Sequence, residues 1–321
     1  MEFRQLQLFV AVAEELHFGR AAARVRMAQP PFSQQIRKLE IELDAELLTR
    51  SSRRVALTPA GAHLLEQARG LLAKRAEVVA SVRRVAEGEA GSLHVGFGAS
   101  SAFGVLPDII QRFRTRHPHV VLRLDDREAL DIGAALVHGE LDIAIVRAPF
   151  QYQGVDVAPL LQERFVLALP AKHALARTKN IVVAALASEP FVLFPRHVAP
   201  GLHDTIASIC VEAGFSPRIV HEASSWPSVI SLVKAGLGIT MAPSSARDIL
   251  PGGVVFKDLR GAAQRAELCL AYPKQGLSPA AKHFLMLARL SSKEHSRRRS
   301  LMCGGGTAAG APNGRKAPGG P

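Results

Sequence analysis

Residues 17–61, HFGRAAARVRMAQPPFSQQIRKLEIELDAELLTRSSRRVALTPAG, decide how the rest of the chain is read. Arg20 to Val25 predicts a short helix whose Ala21, Ala22 and Ala23 allow a neighbouring helix to cross closely. Arg26-Met27-Ala28 breaks it, and a longer helix is predicted from Gln29. Pro30 and Pro31 suit its first turn, where a missing N–H costs little and the backbone angle is preset. Phe32, Ile36, Leu39 and Leu43 stand at i, i+4, i+7 and i+11, one apolar stripe on one face. Gln29, Ser33, Gln34, Arg37 and Lys38 must therefore project elsewhere. Upstream, Phe3, Leu6, Phe9, Val10 and Ala13 recur at helical spacing, and His17-Phe18-Gly19 ends that first helix.

Short helices, a tight connection and a third helix with polar and basic residues at its start suit a helix-turn-helix. In that geometry the third helix enters the DNA major groove and its N-terminal residues reach base edges. Gln bonds adenine bidentately, while Ser and Arg bind phosphate or base. A small helical bundle with a solvated polar face is the plainer reading of the same helices. Residues 49–58, TRSSRRVALT, add arginines beside a strand-like Val55-Ala56-Leu57, as in a wing hairpin that touches the backbone or a narrow minor groove. The candidate DNA-binding residues are Arg20, Gln29, Pro30, Pro31, Ser33, Gln34, Arg37, Lys38, Arg50, Arg53 and Arg54.

This stretch resembles the winged helix-turn-helix of LysR-type transcriptional regulators, and the chain follows suit to about residue 290. The resemblance implies an effector-responsive regulator that binds an interrupted palindrome in double-stranded promoter DNA. It also implies a homo-oligomer, a dimer through the linker helix and usually a tetramer, with RNA polymerase as a further partner. No cofactor is implied. Many members carry Arg where Gln34 stands, though Gln also occurs there, so the departure bears on base preference and not on DNA binding.

Thr58-Pro59 reads as an N-cap followed by Pro at the first helical position, opening a long helix over 59–88. Leu64, Ala68, Leu71, Arg75, Val78, Val82 and Val85 alternate spacings of four and three, a heptad seam with one charged interruption. An amphipathic helix packed on its own domain is the alternative. The periodicity, next to a DNA-binding unit, favours pairing between copies, with Glu87-Gly88-Glu89-Ala90-Gly91 as a hinge.

From residue 91 the pattern becomes α/β. Strands are predicted at Leu93–Phe97, Val120–Leu124, Ile143–Val146, Phe165–Leu169, Phe191–Phe194, Arg218–His221, Gly238–Ala242 and Leu268–Ala271, with helices between most of them. Such alternation argues for parallel sheets of βαβ units. The fold class expected is therefore α/β: an N-terminal winged helix-turn-helix (1–58), a linker helix and hinge (59–90), and a C-terminal two-subdomain effector domain resembling periplasmic solute-binding proteins (91–290). Its subdomains are placed at 91–162 plus 266–290 and at 163–265, so the chain crosses twice. Residues 291–321, rich in Gly, Pro, Ser and basic residues, are expected to form a disordered basic tail.

Open α/β sheets bind ligands beyond the carboxyl ends of their strands. Ser100 and Ser101 follow the first strand and precede a helix, where N–H groups and the helix dipole favour a carboxylate. An N-cap without a ligand explains them equally. Arg147 follows a strand at the same edge and can hold a carboxylate bidentately, or pair with Glu128 or Asp126. The resemblance to members that respond to aromatic acids implies Ser100, Arg147, Pro200 and Leu202 as effector contacts. Those members often have Thr near the end of the second strand, where this chain has Arg127-Glu128-Ala129, and a carboxylate from Glu128 would repel a diacid. An aromatic or carboxylic acid is the effector class the resemblance suggests.

Composition excludes other classes. The chain has 321 residues, 48% of them apolar, which is ample for folded cores. Net charge is +12, but residues 291–321 hold 6 basic and 1 acidic side chains, so bulk charge is a poor argument for DNA binding. No apolar run spans a bilayer, and the start lacks the features of a secretory signal. Three dispersed cysteines fit neither a disulfide framework nor a metal cluster, and a reduced, cytoplasmic protein is expected. A nucleotide-dependent α/β enzyme would need a third glycine where Ser101 stands after Gly96-Phe97-Gly98. A hydrolase would need G-x-S-x-G around Ser100. A free solute-binding protein would suit residues 91–290 but needs export.

Overall fold

The computed structural model describes residues 1–50, 54–98, 103–249 and 252–304. It separates into two compact units that meet in sequence between Ala86 and Glu87. In the first unit α1 (Phe3–Glu15), α2 (Phe18–Arg24) and α3 (Gln29–Leu43) enclose a core of Leu8, Phe9, Val12, Ala21, Phe32, Ile36 and Leu39. Each large apolar side chain buried this way contributes about 1.5–3 kcal/mol. The His17 ring accepts the Arg20 N–H at 3.2 Å and starts α2. Ala21 and Ala22 are buried on the face that meets α1 and α3. Pro30 and Pro31 occupy the first turn of α3, as the sequence predicts.

Two members of the expected apolar stripes are exposed, and Val10 is half-buried. Leu43 is 37% exposed, because the helix ends beside it in a left-handed Asp44. Phe3 is 47% exposed, with the Arg75 guanidinium 5.5 Å from its ring centroid.

A two-stranded antiparallel hairpin follows, β1 (Leu48–Arg50) and β2 (Val55–Leu57), with Leu48 opposite Leu57 and Arg50 opposite Val55. Thr58 accepts the Gly61 N–H at 2.9 Å and donates to the Glu46 carbonyl at 2.6 Å, which caps α4 (Pro59–Ala86) on the hairpin. Gly61 is required here: a Cβ would lie 2.0 Å from the Leu47 carbonyl oxygen. With 28 residues α4 is about 42 Å long. Its Ala68 is buried, whereas Leu71, Val78, Val82 and Val85 are 44–64% exposed on the single chain.

The second unit contains, in order, β3 (Ala90–Phe97), α5 (Val105–Arg116), β4 (His119–Asp126), α6 (Ala129–Val137), β5 (Ile143–Arg147) and β6 (Val155–Pro170). Then come β7 (Ile181–Val182), β8 (Pro190–Leu193), α7 (Pro200–Glu212), β9 (Arg218–Glu222), α8 (Trp226–Lys234), β10 (Thr240–Pro243), β11 (Val254–Arg260), β12 (Arg265–Pro273) and α9 (Pro279–Gly304). One core gathers Leu93, Ile109, Phe113, Ile143, Leu268 and Phe284; another gathers Leu167, Phe191, Ile206, Trp226, Val229 and Met241.

The sheets are mixed, which corrects the expectation of parallel pairing throughout. β3 pairs with β4 and β5 in parallel, and β8 with β9. β12 pairs antiparallel with both β5 and β6, and β6 also pairs antiparallel with β10 and β11. The cause is the double crossing. β6 carries the chain from one half to the other and β12 carries it back alongside, so the two strands must run in opposite directions. Residues 155–164 of β6 pair with β12, while residues 165–170 pair with β10 and β11.

Residues 291–304, expected to be disordered, are helical: α9 continues through Gly304. Ser291 and Ser292 are buried, and the Ser292 hydroxyl donates to the Leu160 carbonyl. The rest of the expected tail lies outside the described residues. Among the described residues no helix is long and apolar enough to cross a membrane.

Candidate nucleic-acid interface and ligand cavity

The outward face of α3 is the polar surface the sequence predicts. Gln29, Pro30, Pro31, Gln34, Arg37 and Lys38 are exposed, and Ser33 is half-buried. Ile41, one turn beyond Arg37, is 78% exposed and extends that face with an apolar side chain. Sequence reasoning missed it.

The flanking arginines differ from one another. Arg20 donates to the Glu15 carbonyl at 2.6 Å and pairs with its carboxylate at 3.3 Å, yet its side chain remains 65% exposed. Arg50 is tied inward: its guanidinium pairs with the Glu40 carboxylate and lies 4.9 Å from the Phe18 ring centroid. The second Glu40 oxygen accepts the Leu47 and Leu48 N–H groups at 3.1 and 3.3 Å. Read from sequence as a DNA contact, Arg50 has its charge matched within the protein and ties the hairpin to α3. Arg54 is exposed beside β2. Arg53 lies outside the described residues.

In the second unit a cavity of about 370 Å³ opens at the carboxyl ends of β3, β4, β5 and β8. Gly98, Asp126, Glu128 and Arg147 line it from those strand ends. Pro200, Gly201 and Leu202 bring the N-terminus of α7 to the same space. A Cβ at Gly201 would lie 2.8 Å from the Ala148 carbonyl oxygen, so glycine permits this close approach of the two halves. Phe150, Tyr152 and Phe194 add aromatic walls, and Trp226 stands edge-on to Phe194 with centroids 4.9 Å apart. The structure thus brings four of the expected effector residues, Glu128, Arg147, Pro200 and Leu202, to one cavity. Ser100 and Ser101 lie outside the described residues. Asp126, Phe150, Tyr152, Val198 and Ser224 were not anticipated as lining residues.

Arg147 corrects a second expectation. Neither Glu128 nor Asp126 is its ion-pair partner; Glu163 in β6 is, at 3.1 Å, with both side chains at most 5% exposed. The other Glu163 oxygen accepts the Ser245 N–H at 2.9 Å and the Ser244 hydroxyl at 3.5 Å. One carboxylate therefore links the end of β5, the crossing strand β6 and the turn after β10. Burial draws the Arg147 guanidinium below its ordinary pKa, opposed by Glu163, and a guanidinium stays charged in any case. Asp126 is an exposed residue whose carboxyl is partly desolvated at the cavity wall; that desolvation first, and Asp125 second, push it above the usual carboxylate range.

Cys210 and Cys269 are buried, and burial pushes both thiols up to about 11. At pH 8 roughly one in a thousand of each is thiolate, the reactive form. Native protein treated with iodoacetamide is expected to leave both unmodified, and denaturant to expose them; peptide mass spectrometry reads the two sites separately.

The family model described as Bacterial regulatory helix-turn-helix protein, lysR family, matches residues 3–62, and the LysR substrate binding domain matches residues 86–291. The chain belongs to the LysR family of transcriptional regulators. The match to the substrate binding domain contains every residue named around the cavity, and the helix-turn-helix match contains α3. Among similar LysR-family proteins, AlsR of Bacillus subtilis is 38% identical over 288 residues, covering 90% of this chain and 95% of AlsR. XapR of Escherichia coli is 36% identical, covering 87% of this chain and 94% of XapR. Full-length CbnR complexed with its target DNA superimposes with a TM-score of 0.79 at 27% identity, covering 91% of this chain and all of CbnR. Full-length BenM gives a TM-score of 0.58 at 28% identity, covering 94% of this chain and 98% of BenM.

Proposed function

We propose that α3 reads base edges in the major groove through Gln29, Ser33, Gln34 and Arg37, while Lys38 and the wing arginines hold the backbone. The supporting observation is the exposed polar face of α3 beside the β1–β2 hairpin, in a chain similar to a regulator solved on its target DNA. Copies pair through the exposed valines of α4. Two recognition helices are then held about 34–36 Å apart, or at a multiple of that spacing. Dimers assemble further into a tetramer, and a small molecule in the cavity favours one quaternary arrangement over another. The protein acts by binding, without catalysis.

The test uses purified full chain and genomic fragments that it retains. On the recovered sites Arg37→Ala is expected to cost about 1–3 kcal/mol and relax preference at one position of each half-site. Lys38→Ala should weaken every sequence alike and flatten the salt dependence by about one unit of slope. Retention of no fragment over bulk DNA, or unchanged affinities for both variants, would reject the reading.

A further inference from the structure

The described wall of the cavity carries four charged side chains, Asp126, Arg127, Glu128 and Arg147. Both cations are already matched. Arg127 bridges Asp125 and Glu140 at 2.8 Å each, and Arg147 faces buried Glu163 at 3.1 Å. Asp126 and Glu128 have no ion-pair partner among the described residues, whose pairs around the cavity are these three. Ala99-Ser100-Ser101-Ala102, next in sequence after Gly98, bring no charge. The cavity therefore presents two unmatched carboxylates together with the rings of Phe150, Tyr152 and Phe194.

A carboxylate entering this space meets like charges, and both guanidiniums already face carboxylates of the protein. A cation meets two attractive charges at its wall and aromatic faces that attract it further. A volume of about 370 Å³ admits one ring or a short chain beside the charged group. We infer that the cavity selects a small organic cation, an amine or amidine with an apolar body, over a carboxylate of equal size. This departs from the acid effector that the resemblance suggests, and its chain-specific origin is Glu128 together with Asp126. The inference rests on the reading of this cavity as the effector site.

Trp226 is the sole tryptophan and touches Phe194 on the cavity wall, so its fluorescence reports occupancy. Full-length protein is titrated with size-matched benzylamine, benzyl alcohol and benzoate, and with the corresponding butyl compounds, alongside thermal unfolding. The amines are expected to bind at least about tenfold more tightly than the carboxylates, a difference of about 1.4 kcal/mol. Asp126→Asn combined with Glu128→Gln should remove that preference, and Glu128→Lys should reverse it. Thermal unfolding of each variant without compound verifies an intact domain, since both side chains are exposed. Tighter binding of carboxylates, or amine selectivity unmoved by these substitutions, would overturn the inference while leaving the cavity a ligand site. Silence from all six compounds in fluorescence and unfolding would remove the ligand-site reading and the inference with it.

Discussion

Arg147→Ala is expected to lower the stability of the second unit by about 3–5 kcal/mol, a fall of about 6–20 °C in Tm for a domain of this size. The cause is the carboxylate left behind. Glu163 is almost fully buried and would lose the guanidinium that faces it at 3.1 Å, while the Ser244 and Ser245 donors stay in place. Replacing both partners with apolar residues of similar volume, Arg147→Met with Glu163→Leu, should restore most of the loss, because a buried pair is costly to break and cheap to replace. Calorimetry of the single and double variants checks both statements. A single variant that melts within a degree of the parent would show the pair to be dispensable and would return Arg147 to the role of a ligand contact. The same pair bears on how the domain moves. It joins β5 to the strand on which the chain crosses between halves, so a ligand that changes their relation must work against it.

The second large effect concerns the stalk. Val78 and Val82 are 52% and 64% exposed on one chain, and they lie in the α4 seam with Leu71 and Val85. Val78→Glu with Val82→Glu places like charges across a pairing helix, and sedimentation is expected to show dissociation of the α4-paired dimer. Circular dichroism should change little, because these side chains do not support the fold of their own unit. Affinity for a two-half-site DNA should fall by about 10²–10⁴, the gain that linked binding supplies, while affinity for one isolated half-site stays nearly constant. An assembly that resists both substitutions would mean that copies meet elsewhere.

What the sequence disclosed, it disclosed through local signals. The proline turn of α3, the stripe of Phe32, Ile36 and Leu39, and the Thr58 cap each depend on residues within a turn or two. These survive in the structure with small shifts at their ends. The missing parts are non-local. The partner of Arg147 is on β6, across strand pairings that no periodicity reveals. β6 itself was read only over Phe165–Leu169, because Asp156, Pro159, Gln162, Glu163 and Arg164 interrupt its apolar pattern; those residues are in strand because β12 returns beside them. β7 and β11 were missed for related reasons, the one being only two residues long and the other broken by Lys257 and Asp258. Ser291 and Ser292 read as the start of a polar tail, but they cap the packing of α9 on β6 and are buried there.

The candidate sites divide along the same line. Exposed residues on one helix face, such as Gln34 and Arg37, could be named from spacing. Arg50 could not be separated from them, since its tie to Glu40 and Phe18 depends on how the hairpin folds back over the helices. In the cavity Glu128 and Arg147 were visible as residues after strands, whereas Phe150, Tyr152 and Ser224 come from loops whose course only the fold sets.

In the function proposed above, α3 lies in the major groove and reads bases with its exposed side chains. Selection of bound sequences from a randomised duplex pool, run in parallel with the parent chain and with Gln34→Arg, tests it most directly. Gln favours adenine and Arg favours guanine through the same groove edge. Two inverted half-sites are expected, in which one symmetric position changes from adenine to guanine in the variant and the rest stay the same. Identical selected sequences from both proteins, or no enriched sequence from the parent, would contradict it.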